Sequence, residues 1–108
     1  MKEKETKPLL FTPIKIRGIK AKNRIVVSPM CQYVSVNGMP NDWNLVHLGR
    51  YAFGGAGIIY GEETAVEARG RKSYQCAGIW DDQHINGYRR INEFLKSLGA
   101  VPAMQLGH

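Results

Sequence analysis

The sequence predicts an α/β fold, and three observations carry that prediction. Short β-branched apolar runs, Ile25-Val26-Val27 and Ile58-Ile59, alternate with longer segments whose apolar residues recur at helical spacing. The connections between them are short and punctuated by glycine, as parallel strand–helix–strand units require. The resulting order is hairpin, β, α, β, α, β, with no internal repeat and no low-complexity segment beyond a basic tail over residues 1–9.

Each element has a local reason. Ile14-Lys15-Ile16, Arg17-Gly18 and Ile19-Lys20-Ala21-Lys22 alternate apolar and polar around a turn-compatible glycine, which predicts a β-hairpin. Ile25 to Met30, interrupted by Pro29, reads as a first strand buried on both faces. Ser35 to Asn41, with Asn37-Gly38 and Pro40, forms a loop. From Asp42, the residues Trp43, Val46, Leu48, Tyr51 and Ala52 predict an amphipathic helix that stops at Gly54-Gly55. Gly57 to Glu62 is the second strand, and Glu67 to Tyr74, carrying Arg69-Gly70-Arg71-Lys72, is a basic loop. Asp81 or Asp82 caps a second helix whose face is Ile85, Tyr88, Ile91, Leu95 and Leu98, with Gly99 closing it. Ala100 to Leu106 is the third strand, with Pro102 at its start because proline removes a ladder donor.

Composition excludes several function classes. The 108 residues carry 15 Lys plus Arg against 9 Asp plus Glu, a formal charge of +6. All of that excess lies in residues 1–24, and residues 25–108 balance. A nucleic-acid interface spreads basic residues over a folded face with aromatics between them, so no nucleic-acid partner is expected. The longest uncharged run, Ile25 to Asn41, is broken by Ser28, Pro29, Gln32, Asn37 and Pro40, so neither a membrane span nor a signal peptide is expected. Cys31 and Cys76 form no CxxC pair and no zinc pattern with His47, His84 or His108. Two isolated thiols fit the reducing cytoplasm.

In α/β sheets ligands bind at the carboxyl ends of the strands. Those ends collect Pro29, Met30, Cys31, Gln32 and Tyr33, then Glu62, Glu63 and Thr64, then Gln105 and His108. Taken alone, each has a plain structural reading: Cys31 as a small buried filler, Tyr33 as a packing residue, Gln105 as a loop amide, His47 and His84 as helix residues. Glu62 and Glu63 are adjacent in a strand, point to opposite sides and do not make a carboxylate pair. Gly54-Gly55-Ala56-Gly57 ends a helix and enters a strand, the reverse of a dinucleotide fingerprint.

Five ordered motifs go further. Leu10-Phe11-Thr12-Pro13-Ile14, Lys22-Asn23-Arg24-Ile25-Val26, Ser28-Pro29-Met30-Cys31, Gly78-Ile79-Trp80 and Gln105-Leu106-Gly107-His108 together resemble the N-terminal third of the Old Yellow Enzyme family, in its cysteine-containing bacterial-type branch of NADPH dehydrogenases. The resemblance runs from about Leu10 to His108. It implies that residues 10–108 are the N-terminal portion of an FMN-binding (β/α)8 TIM barrel, namely the hairpin that caps the barrel bottom and about two and a half βα units. A complete barrel takes ~250 residues.

The resemblance also implies roles. Ser28, Pro29 and Met30 match the segment that lines the isoalloxazine ring of FMN, and Cys31 matches the thiol that hydrogen-bonds the flavin and tunes its potential. Gln105 matches the amide at the flavin's pyrimidine edge, and Tyr33 matches a substrate-side phenol. Glu63 stands among the cofactor-binding positions where the family has a small alanine or glycine. A carboxylate there crowds the ring or opposes the anionic reduced flavin, so either the loop shifts or flavin is bound differently.

The activity implied is passage of hydride from NADPH or NADH through FMN to the C=C bond of an enone or enal. The groups that hold the substrate carbonyl, donate the proton and grip the FMN phosphate match nothing in the 108 residues, so this stretch alone is expected to be inactive and to bind FMN weakly or not at all. Two rivals stand beside this reading: a non-catalytic interaction module that self-associates to cover its edges, and a thiol redox sensor built on Cys31.

Overall fold

The computed structural model describes residues 6–108; most of the basic tail assigned to residues 1–9 lies outside that range. A 3-10 turn at Leu9–Phe11 leads into the hairpin, β1 (Ile14–Ile16) and β2 (Ile19–Ala21), paired antiparallel with Ile16 opposite Ile19. The left-handed turn position falls on Arg17 (φ 53°) and not on Gly18. The chain then lays down β3 (Val26–Val27), α1 (Asp42–Phe53), β4 (Ile58–Ala65), β5 (Ala77–Gly78), α2 (Ile85–Ser97) and β6 (Val101–Gly107). β4 is central. It pairs in parallel with β3 near its start and β5 near its end on one side, and with β6 along its whole length on the other.

Both helices cover one face of this sheet. Ile59 on β4 is fully buried against Ala52 of α1 and Ile91 and Leu95 of α2, with Ala56 and Ala100 completing the core. The opposite face carries no layer within the described residues, and Val26 and Met30 stand exposed. The expectation that the first strand is buried on both faces is therefore corrected: Val26 is 51% exposed because only one side of the sheet has helices over it.

Several boundaries also move. The first strand pairs only over Val26–Val27, because Ser28 to Met30 leave the ladder and run to the rim. The second extends to Ala65, where the sequence reading ends it at Glu62. β5 is an unanticipated two-residue strand that returns the basic loop to the sheet. On α1, Trp43 and Val46 are 59% and 68% exposed, contrary to the expected face. The rest of the expected face holds, with Ala52 buried and Leu48 and Tyr51 packed against the core; Asn44, Leu45 and Gly49 join it, a polar and a small residue among them that the apolar signature of a helix does not mark. On α2 the expected face holds at Ile91 and Leu95, while Ile85 is exposed. Asp81 caps not α2 itself but the 3-10 turn Asp82–His84 that runs into it, its carboxylate accepting from Gln83 N–H at 3.0 Å, and the N-cap of α2, His84, makes no side-chain cap. Pro102 is the second residue of β6. Val101 N–H donates to Gly57 O, so the alternation of a parallel ladder turns the proline's missing donor toward the free edge, where it costs nothing.

The hairpin side is tied to the amino ends of the strands. Lys22 Nζ donates to Leu98 O (3.0 Å) just before β6, and Asn23 Nδ2 donates to Gly55 O (2.7 Å) just before β4. The carboxyl ends, with the basic loop, form the other end of the molecule.

Candidate functional site

At the carboxyl end the chain leaves β3 through Ser28, Pro29, Met30 and Cys31. Ser28 and Met30 are exposed, Pro29 and Cys31 half-buried. Tyr33 is 49% exposed and holds a left-handed backbone (φ 55°), a conformation that a bulky residue adopts only where its surroundings impose it. Gln105 on β6 is exposed, and among the described residues neither its carboxamide nor the Cys31 thiol makes a side-chain hydrogen bond. The open inner face therefore presents an uncommitted thiol, phenol and amide.

A bulge in β4 sorts the two glutamates. The register to β6 runs Gly61 to Met104, then Glu63 to Gln105, so Glu62 is the extra residue. Glu63 and Gln105 consequently share the inner face. Glu62 is turned to the helix side, 7% exposed, where Oε2 accepts from Gln32 N–H (3.3 Å) and Asn44 Nδ2 (3.4 Å) and Oε1 has no partner. Burial pushes its carboxyl above the usual range, opposed by the backbone N–H groups of Gln32 and Ala77. The expectation that these carboxylates do not act as a pair holds in this geometry. Beside Glu62, the Tyr88 hydroxyl donates to Gly78 O (2.8 Å), and burial pushes it up to about 12.

Sequence reasoning missed one participant. Lys72, seen only as part of a basic loop, reaches back so that Nζ meets Glu63 Oε2 at 2.6 Å. Glu63 raises the Lys72 pKa, and Cys31 and Tyr33 are close enough to add to that effect. Cys31, Glu63 and Lys72 line one small pocket with Gly70 and Cys76. The remaining basic residues of the loop are committed elsewhere: Arg69 pairs with Glu67, and Arg71 lies 4.9 Å over the Trp80 ring while donating to Ala68 O. His108 follows β6 at this end of the sheet, its Nε2 3.4 Å from Glu67 Oε2, whereas the other two histidines are placed away from this face. His84 is fully buried, Nδ1 accepting from Asp81 N–H and Nε2 facing Asn37 O at 2.8 Å, and His47 sits in α1 beside Arg50.

Among the described residues no group of His, Cys, Asp and Glu is arranged to hold a metal, and no helix is long and apolar enough to cross a membrane.

Comparison with known proteins places this geometry. The profile of the NADH:flavin oxidoreductase / NADH oxidase family matches residues 9–108. The chain is 43% identical over 102 residues to an NADPH dehydrogenase of Geobacillus sp. (strain WCH70), covering 93% of this chain and 30% of that protein. It is 44% identical over 101 residues to an NADPH dehydrogenase of Bacillus cytotoxicus, covering 92% and 29%. The chain thus spans about 30% of the length of these curated relatives. Among solved structures, morphinone reductase superposes with a TM-score of 0.85 at 27% identity, covering 95% of this chain and 27% of its own. The Old Yellow Enzyme homologue from Zymomonas mobilis superposes at 0.84 and 27% identity, covering 94% and 28%. Fold, sequence and motif order agree: the chain belongs to the NADH:flavin oxidoreductase / NADH oxidase family, that of Old Yellow Enzyme, and corresponds to an N-terminal part of its α/β barrel.

Proposed function

We propose that this chain supplies one part of the flavin face of an FMN-dependent NAD(P)H oxidoreductase that reduces the C=C bond of α,β-unsaturated carbonyl compounds, with residues 10–108 as the barrel portion. The observation that carries it is the set of uncommitted polar groups, Cys31 Sγ, the Gln105 amide and the Tyr33 hydroxyl, gathered at the carboxyl ends of parallel strands in a chain of this family. FMN and a nicotinamide donor, NADPH or NADH, are the cofactors that go with membership of it.

The donor set fits a flavin. The ring has an apolar benzenoid end and a pyrimidine edge of alternating carbonyl and N–H groups; an amide supplies both a donor and an acceptor to such an edge, and a thiol adds a weak donor. Ser28, Pro29, Met30, Cys31 and Gln105 would hold it, Met30 contributing an exposed, polarisable surface and Gln105 the paired polar contact. When bound, FMN supplies two-electron hydride chemistry. Tyr33, 49% exposed and with no hydrogen bond to its hydroxyl among the described residues, would orient a substrate. The left-handed backbone at Tyr33 and the clamp of Glu62 on Gln32 N–H fix this loop, so the thiol and phenol are preorganised.

The test is reconstitution of the complete gene product with FMN, followed by NADPH and NADH oxidation with and without a cyclic enone. Enone-dependent oxidation with saturated product supports the reading; stoichiometric FMN with no enone reduction overturns the substrate class. One observation favours a second reading, an interaction module: among the described residues β6 has a strand on one side only, and Leu106 on it is 63% exposed. That module would be a discrete homo-oligomer of the 108-residue chain, visible by light scattering. We place the protein in the cytoplasm, away from nucleic acid and membrane, on its two free cysteines and the confinement of its excess positive charge to residues 1–24.

A further inference from the structure

We infer that Glu63 and Lys72 form a charge-neutral pair that sets the redox poise of the bound flavin, with Lys72 cancelling the carboxylate that Glu63 brings to the inner face. The inference rests on the flavin reading above and adds to it a residue, Lys72, that no motif marks.

Four features support it. The β4 bulge places Glu63 in register with Gln105, the amide assigned to the flavin edge, so the Glu63 carboxylate sits on the cofactor side of the sheet. Its partner comes from a different segment, the loop between β4 and β5, and closes to 2.6 Å. Room has been made for the pair: a Cβ on Gly107 of β6 would lie 2.6 Å from Glu63 Cγ, so any larger residue would push the carboxylate off its partner and further into the open face. Finally, Glu63 exposes only 23% of its side chain, so its charge is poorly hydrated and needs a local counter-charge, whereas Lys72 is 63% exposed and reaches it from the solvent side.

The consequence follows from charge. Reduction makes the flavin more anionic, so a lone carboxylate nearby disfavours the reduced form and a lone ammonium favours it; a close pair largely cancels at longer range. The other charged group near the pair, Arg71, is stacked on Trp80 and bonded to backbone carbonyls. It is therefore a fixed background common to every variant.

The experiment is flavin midpoint potential and FMN affinity in the flavin-loaded full-length protein, for wild type, Lys72→Met, Glu63→Gln, the double variant and Lys72→Arg. Lys72→Met is expected to lower the potential and Glu63→Gln to raise it, each by about a tenfold change in the relative affinity for reduced over oxidised flavin, which a two-electron couple reads as about 30 mV. The double variant and Lys72→Arg are expected to return close to wild type. FMN bound with a potential that neither single variant moves overturns this inference alone, as does a double variant as displaced as the worse single one. A wild-type protein that takes up no FMN overturns the functional reading and this inference with it.

Discussion

Glu62 is the residue whose environment departs most from its chemistry. A carboxylate 7% exposed, with one oxygen unpartnered and the other held by two long hydrogen bonds, is ionised only at a cost. Its folded-state pKa lies above its unfolded value, so the native state holds the proton more tightly and stability falls as pH rises from about 4.5 through the folded-state value. Glu62→Gln removes that titration while keeping an acceptor for Gln32 N–H. Thermal melts from pH 4 to 8 should show the variant gaining on wild type as pH rises; a constant difference would refute the assignment. At Cys31 the measurement is alkylation rate: reaction at the pace of an ordinary thiol removes the redox-sensor rival. At this scale the sequence is a partial guide. Motif order marked Cys31, Tyr33 and Gln105 as candidates, but it could not mark Lys72, because its contact with Glu63 crosses a separation of nine residues, mostly loop, whose path no local pattern specifies.

At the scale of elements, α1 and α2 form for different reasons. α1 is held at its start by a reciprocal cap: Asn41 Oδ1 accepts from Trp43 N–H at 3.0 Å and Asn44 Oδ1 accepts from Asn41 N–H at 2.9 Å. Asn41→Ala should cost about 1 kcal/mol, read by denaturant melts, and more if loss of its Nδ2 bond to Val34 O loosens the preceding loop. α2 depends instead on its apolar stripe. Leu95 is 1% exposed and packs on Ile59 and Ile91, so Leu95→Ala should cost about 2–5 kcal/mol, far above the cap. The α2 stripe was readable from its period; that of α1 was readable only at Leu48, Tyr51 and Ala52, since Asn44 is buried for its bond to Glu62 and Gly49 because a Cβ there would meet the Phe94 ring at 2.9 Å. Pairing partners, not propensity, likewise decide where β3 ends and where β5 exists at all.

For the molecule as a whole, the imbalance between its two sheet faces governs behaviour. Helices bury one face, while the other presents Val26 and Met30, and β6, which carries the exposed Leu106, has an edge with no neighbour among the described residues. The 108-residue chain on its own should therefore self-associate with rising concentration, and Leu106→Lys should reduce that association several-fold in light-scattering measurements, because charge on an edge strand opposes pairing. A monomer at all concentrations would mean that the inner face is less adhesive than its exposed apolar surface implies.

By itself the sequence determined the class of fold, the order of the main elements and the end of the sheet at which the candidate residues gather, because period, glycine stops and β-branched runs are local properties that each segment carries with it. Only the tertiary structure decided which glutamate faces the open side of the sheet and which side chain pairs with it. A single extra residue in β4 reverses the side on which every later side chain emerges, and that bulge is set by how β4 and β6 pair across the sheet, a relation between strands that neither segment encodes alone.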